Sequence, residues 1–143
     1  MRVAVGSDER TALTDAVVDD LRGRGHELVL VGPPGGQDKQ WSQVGRETGE
    51  LVAGHDCDTA VLFCWTGTGA SIAANKVDGV RAALCTDAAT AAGARRWNDA
   101  NVLVLSLRLT SPQLAGEMLD AWFTTDADPA EADNIARLER PGP

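Results

Sequence analysis

The stretch Cys64-Trp65-Thr66-Gly67-Thr68-Gly69-Ala70-Ser71 sets a thiol, hydroxyls and paired glycines directly after the apolar run Thr59-Ala60-Val61-Leu62-Phe63. A thiol at the end of a buried strand, facing the turn before a helix, can have its pKa depressed from about 8.5 and act as a base or nucleophile. A Gly-x-Gly turn leading into a helix can cradle an anion with backbone N–H groups. This turn is neither a Walker loop nor a full Gly-x-Gly-x-x-Gly fingerprint. A second group, Gly6-Ser7-Asp8-Glu9-Arg10, follows the first apolar run. Asp8 and Glu9 there form a pair of carboxylates suited to acid/base work. Plainer readings stand beside these. The glycines permit a tight turn, Cys64 is a buried core thiol, and Glu9 is a solvated carboxylate favoured in a helix's first turn. The residues alone leave both sets open.

These groups need a scaffold, and the hydropathy pattern supplies one. Strand-like runs fall at 3–5, 28–31, 59–64, 80–84 and 102–105. Helical spacing falls at 10–24, 42–54, 70–75, 87–96, 111–123 and 129–139, and 32–40 is a Pro/Gly-rich loop. The third strand is apolar throughout, as expected of one covered on both faces. Such alternation predicts a layered α/β fold with a parallel sheet. Ligands in such folds sit at the carboxyl ends of strands, where strand order reverses. In a flavodoxin-like order that point lies between the first and third strands, where Asp8 and Cys64 are. His26 and His55 precede strands at the opposite end and read as surface or edge residues. Cys57 and Cys85 read as core or edge residues.

A length of 143 residues fits a single domain spanning 1–143, with a flexible tail from about 138. Thirteen basic against 21 acidic residues give a net charge of −8. That charge disfavours a nucleic-acid partner. Apolar runs are too short to cross a membrane, and the first residues lack signal-peptide architecture. An odd number of cysteines fits a reducing cytoplasm. Without Cys-x-x-Cys or His-x-x-His pairs, a structural metal site is not expected.

Gly6-Ser7-Asp8, the run from Cys64 through Thr66, Gly67 and Gly69 to Ser71-Ile72-Ala73-Ala74-Asn75-Lys76, and Asn98-Asp99-Ala100-Asn101-Val102-Leu103 together resemble the type B ribose-5-phosphate isomerase family. That family includes the galactose-6-phosphate isomerase subunits. The resemblance runs from Met1 to about Arg137. It implies a three-layer, Rossmann-like α/β fold with a five-stranded parallel sheet. It also implies a homodimer, sometimes a tetramer, with sites between subunits and neither metal nor cofactor. The implied reaction is aldose–ketose isomerisation of a sugar phosphate through an enediolate. By position, Cys64 matches the base, and Ala70 stands where another branch carries a glutamate base. Thr66 matches a hydroxyl that relays a proton, and Gly67 and Gly69 match the oxyanion turn. Asp8 matches an aspartate that binds sugar hydroxyls, and Asn98 an asparagine near the enediolate. Arg108 and Arg137 match two site arginines. Glu9, Trp65, Thr68 and Trp97 fall among the substrate-binding positions.

Departures from the family pattern narrow the substrate. Glu9 and Trp97 each stand where the family has histidine, and Trp65 where it has glycine. Asp133-Asn134 stands where it has Arg-His. In the family the histidine at position 97 opens the sugar ring, and an indole, which only donates, cannot exchange that proton. This implies a short or open-chain substrate. Carboxylates at 9 and 133 disfavour a phosphate where the family binds one, so the pattern points away from ribose 5-phosphate. Arg10 and Arg140 are candidates to compensate. The alternatives are an enzyme of the same fold with altered chemistry and a non-catalytic binding or partner subunit. A nucleotide-binding module is weaker still, because the full glycine fingerprint is absent.

Overall fold

A computed structural model describes residues 1–139. Five strands form one sheet: β1 (Arg2–Ser7), β2 (Glu27–Val31), β3 (Thr59–Cys64), β4 (Ala82–Leu84) and β5 (Val102–Ser106). All pairings are parallel, in the order β2-β1-β3-β5-β4. The helices are α1 (Ala12–Gly23), α2 (Trp41–Ala53), α3 (Thr68–Asn75), α4 (Ala88–Asn98), α5 (Pro112–Thr124) and α6 (Ala132–Ala136).

Strand side chains alternate between faces, and both faces are apolar because helices cover both. Val3, Val5, Val61, Phe63, Leu103 and Leu105 pack under α1, α4 and α5. Ala4, Ala60, Leu62, Cys64, Val102 and Val104 pack under α2 and α3. The result is the three-layer, Rossmann-like architecture. Phe63 is fully buried at the centre of the first core. Phe63→Ala there costs about 3–5 kcal/mol.

Side-chain caps fix the starts of α1, α4 and α5. Thr11 accepts from the Thr14 N–H at 3.3 Å, and Asp87 from the Thr90 N–H at 2.7 Å. Ser111 accepts from the Leu114 N–H at 3.1 Å. Each satisfies an N–H that the first turn leaves unpaired. The first helix therefore starts at Ala12 rather than residue 10.

Other boundaries also move from the pattern's prediction. The third helix begins at Thr68, not residue 70, because Gly67 caps it in the left-handed region (φ +85°) without a polar side chain to mark the start. The expected helix at 129–139 divides into a 3-10 turn, Pro129–Glu131, and the short α6. Its end tightens as the Arg137 N–H donates to the Asp133 and Asn134 carbonyls. Of the expected tail, Leu138 and Glu139 are exposed, and Glu139 pairs with Arg81 at 2.8 Å. The rest of that tail, with Arg140, lies outside the described residues.

The strand order keeps the reversal between β1 and β3 but exchanges the last two strands of the flavodoxin-like order. The chain passes from β3 to the edge at β4, then returns to insert β5 between them. Among the described residues, no helix is long and apolar enough to cross a membrane.

Candidate active site

The carboxyl ends of β1 and β3 adjoin, since Ser7 pairs with Phe63. Beyond Ser7 the chain turns sharply: the Ser7 hydroxyl accepts from the Glu9 N–H at 3.2 Å and donates to the Glu9 carbonyl. Asp8 is half-buried, and its Oδ1 is buried without a hydrogen-bond partner. Burial raises the Asp8 carboxyl above its ordinary value of 3.8; its own backbone N–H works against the rise, and neighbouring Glu9 adds to it. Glu9 is exposed. Arg10, exposed, pairs with Asp15 at 2.9 Å.

Cys64 ends β3 at 5% exposure, with its side chain in the α2/α3 core. The next residues leave the sheet as a braced turn. The Cys64 carbonyl accepts from the Leu107 N–H at 3.0 Å. The Trp65 carbonyl accepts from the Arg108 N–H at 3.1 Å and from the Ser106 hydroxyl at 2.9 Å. These bonds bring exposed Arg108 to the same end of the sheet. The Trp65 indole is 58% exposed. Thr66 and Thr68 are exposed, with their hydroxyls 2.9 Å apart.

Gly67 has no room for a side chain: a Cβ there would come within 2.5 Å of Leu84. A Cβ on Gly69 would lie 2.8 Å from the ring of Trp41. Trp41 therefore rests on the first turn of α3 and walls the glycine turn on one side. The sequence pattern did not single it out, because the contact joins residues distant in the chain. The first N–H groups of α3 have no partners within the helix, so the turn presents donors beside Cys64.

Trp97, Asn98 and Arg137 lie elsewhere. Asn98 ends α4, before β5 begins, and so sits toward the amino end of the sheet. It shares a groove with Arg81, Ala82 and Leu138. Trp97 is 54% exposed, lies against Gly93, and walls a neighbouring groove with Leu84, Cys85 and Thr90. Arg137 follows α6 and donates to the Asn134 Oδ1 at 2.8 Å. Asp133 is exposed on the same short helix. The chain therefore brings Asp8, Glu9, Cys64 to Gly69 and Arg108 to one end of the sheet, while Trp97 and Asn98 sit apart beside β4 and Arg137 lies past the end of α6.

Two motif asparagines have structural work. The Asn75 carboxamide accepts from the Ala82 N–H at 2.8 Å and donates to the Ala82 carbonyl at 2.9 Å, which clamps edge strand β4. Asn101 accepts from the Arg81 N–H at 2.8 Å and donates to the Gly79 carbonyl at 2.9 Å. Cys57 and Cys85 are buried, as expected. Burial, aided by Asp87, pushes the Cys85 thiol up to about 11, and burial raises Cys57 as well. Both favour the unreactive thiol form. His26 stacks on Phe123 at 4.5 Å and His55 is exposed, both away from this site.

Residues 3–140 match the family described as ribose/galactose isomerase. The chain is 31% identical over 144 residues to D-erythrulose-4-phosphate isomerase of Pectobacterium atrosepticum, covering 99% of this chain and 93% of that protein. It is 32% identical over 127 residues to 4-deoxy-4-sulfo-D-erythrose isomerase of a Clostridium species, covering 87% and 80%. The solved ribose-5-phosphate isomerase B of Clostridium thermocellum superposes with a TM-score of 0.90 at 34% identity, covering 96% of this chain and 95% of that one.

Proposed function

This chain belongs to the ribose/galactose isomerase family, and from that premise we propose that it interconverts a four-carbon aldose and ketose bearing an anionic group on C4. The observation that carries the isomerase reading is the meeting of Cys64, the Gly67–Gly69 turn and the unpartnered Asp8 Oδ1 at one end of the sheet. A site that moves one proton between adjacent carbons needs a base, donors for the developing oxyanion and a grip on the hydroxyls.

The roles follow from that placement. Cys64 Sγ removes the proton from the hydroxyl-bearing carbon next to the carbonyl. The C–H electron pair enters the enediolate, whose charge falls on the N–H groups of the α3 turn. The proton returns to the neighbouring carbon. Thr66, hydrogen-bonded to Thr68, moves the hydroxyl proton between the two oxygens. Atoms and electrons balance within the sugar, so no cofactor is required. Asp8 accepts from a substrate hydroxyl, with Glu9 beside it. Trp65 and Trp41 narrow the mouth. Arg108, with Arg137 from a second subunit, takes the anionic group. A cysteine base suits a reducing compartment such as the cytoplasm.

Trp97 supports the four-carbon limit. Its indole cannot exchange the proton that ring opening requires. A four-carbon sugar blocked at C4 cannot close a furanose, so none is needed. Two relatives carry names of four-carbon sugars substituted at C4.

The separation of Asn98 and Arg137 from Cys64 favours a homodimer in which each subunit completes its partner's site. Ile72 on α3, Trp97 on α4 and Leu138 are exposed apolar groups on the segments flanking β4. They suit that edge to contact with a second copy.

Proton exchange in deuterated water tests the reading. Four-, five- and six-carbon aldose and ketose phosphates are followed by NMR, beside their unphosphorylated forms. Deuterium enters at the carbon next to the carbonyl of erythrose 4-phosphate and erythrulose 4-phosphate, and Cys64→Ser abolishes it. Equal exchange into ribose 5-phosphate overturns the four-carbon limit. Absence of exchange in a folded protein across the panel overturns the isomerase reading.

A further inference from the structure

Arg81 lies just before β4, and its side chain is only 18% exposed. Every arm of its guanidinium is engaged. Nε donates to the Asp99 carbonyl at 2.7 Å, and Nη2 pairs with the Asp99 carboxylate at 3.3 Å. Nη1 donates to the Gly79 carbonyl at 3.5 Å and pairs with Glu139 at 2.8 Å. The backbone N–H of Arg81 is fixed by Asn101 at 2.8 Å. A mostly buried cation with this many acceptors is a rigid fork rather than a solvated surface charge.

The two acidic partners of that fork are neighbours of separate site residues. Asp99 directly follows Asn98 and holds the left-handed turn that ends α4 (φ +45°), a conformation uncommon outside glycine. Glu139 lies two residues beyond Arg137, past the end of α6. The α6 helix is only Ala132–Ala136, too short to hold its position by its own hydrogen bonds. Leu138, between Arg137 and Glu139, lines the same groove as Asn98 and Arg81. One arginine therefore yokes the turn that presents Asn98 to the segment that presents Arg137.

We propose that Arg81, through Asp99 and Glu139, is the positioning hub that sets Asn98 and Arg137 together for the anionic substrate. This rests on the isomerase reading for the role of the anion, but not for the geometry of the hub. Arg81 touches no substrate. Glu139 acts only by docking the segment that carries Arg137, so its loss weakens capture of the anion more than it slows proton transfer.

Glu139→Gln removes the charge of one arm while leaving the buried fork on Asp99 intact. Because Glu139 is exposed and outside both cores, the variant folds. Its KM for erythrose 4-phosphate rises about fivefold or more, and kcat changes by less than twofold. Glu139→Asp recovers part of the KM. Arg137→Ala made in the Glu139→Gln background adds little to the KM, because both act on one interaction; independent effects multiply instead. Inorganic phosphate, titrated by calorimetry, gives a readout without turnover. Its Kd rises in Glu139→Gln by a factor similar to the KM. Unchanged phosphate affinity in Glu139→Gln overturns the hub, whatever the turnover. Multiplying KM effects of Glu139→Gln and Arg137→Ala overturn it too. A wild-type protein that binds phosphate with this dependence but exchanges no sugar proton leaves the hub standing and removes the isomerase reading alone.

Discussion

Asp8 bears the clearest conflict between stability and use. Its Oδ1 is buried without a partner, and burial raises its carboxyl above 3.8. A carboxylate in that state is costly to fold around and ready to accept from a ligand hydroxyl. The sign of the effect on stability follows from its direction. Below the unfolded pKa the group is protonated in both states and contributes nothing. Above the raised folded pKa it is ionised in both, and the folded state bears the desolvation penalty. Asp8→Asn therefore raises Tm at pH 7 by about 1–2 °C, a modest shift because the group is half-exposed. The gain fades toward pH 3. The same change lowers kcat/KM by about 10- to 100-fold, the worth of a hydrogen bond to a charged group. Paired melting curves at pH 7 and pH 3, with kinetics at pH 7, check both. A lower Tm at pH 7 overturns this account of the carboxylate.

At the scale of elements, α3 serves two masters. Its N-terminal turn faces the site, while its C-terminal Asn75 clamps β4 through both polar groups of Ala82. That clamp blunts an edge strand that would otherwise offer unpaired backbone groups. Asn75→Ala removes both bonds and lowers Tm by about 3–6 °C. Amide exchange at Ala82 speeds up, and KM stays within twofold. A raised KM with unchanged Tm would assign Asn75 to the substrate instead. The distinction matters because Asn75 lies in the Ser71–Lys76 run that carries the family resemblance, and its spacing alone says nothing of its duty. The strands, most helices and the glycine turn were legible because periodicity and turn chemistry are local signals. The start of α3 was not, since Gly67 caps it through backbone conformation alone. Nor was the role of Trp41, whose partner Gly69 comes close only when α2 packs on α3.

At the scale of the whole molecule, the lateral order of strands decides which residues can share a site. Hydrophobic pattern identifies strands but not their neighbours, so the insertion of β5 between β3 and β4 was not legible. Asn98 precedes its strand and Cys64 ends its own, so the two lie at opposite ends of the sheet. The folded chain keeps them apart: Cys64 leads into the α3 turn, and Asn98 opens onto the groove beside Arg81 and Leu138. If catalysis needs both, each must come from a different copy, and a two-fold pairing makes two equal sites. Complementation tests this directly. Cys64→Ser and Asn98→Ala are each inactive as pure proteins. Unfolded together in equal amounts and refolded, they pair at random, and about half the dimers are mixed. Each mixed dimer holds one site with both substitutions and one with neither. Activity therefore returns to about a quarter of the wild-type level, the share expected of closed two-fold pairing. A mixture that stays inactive, while each variant still refolds as a dimer, would place Cys64 and Asn98 in one subunit's site. Mixing without refolding gives a control: subunits that exchange slowly regain activity only over the time of exchange, which shows that the restored site is built between chains.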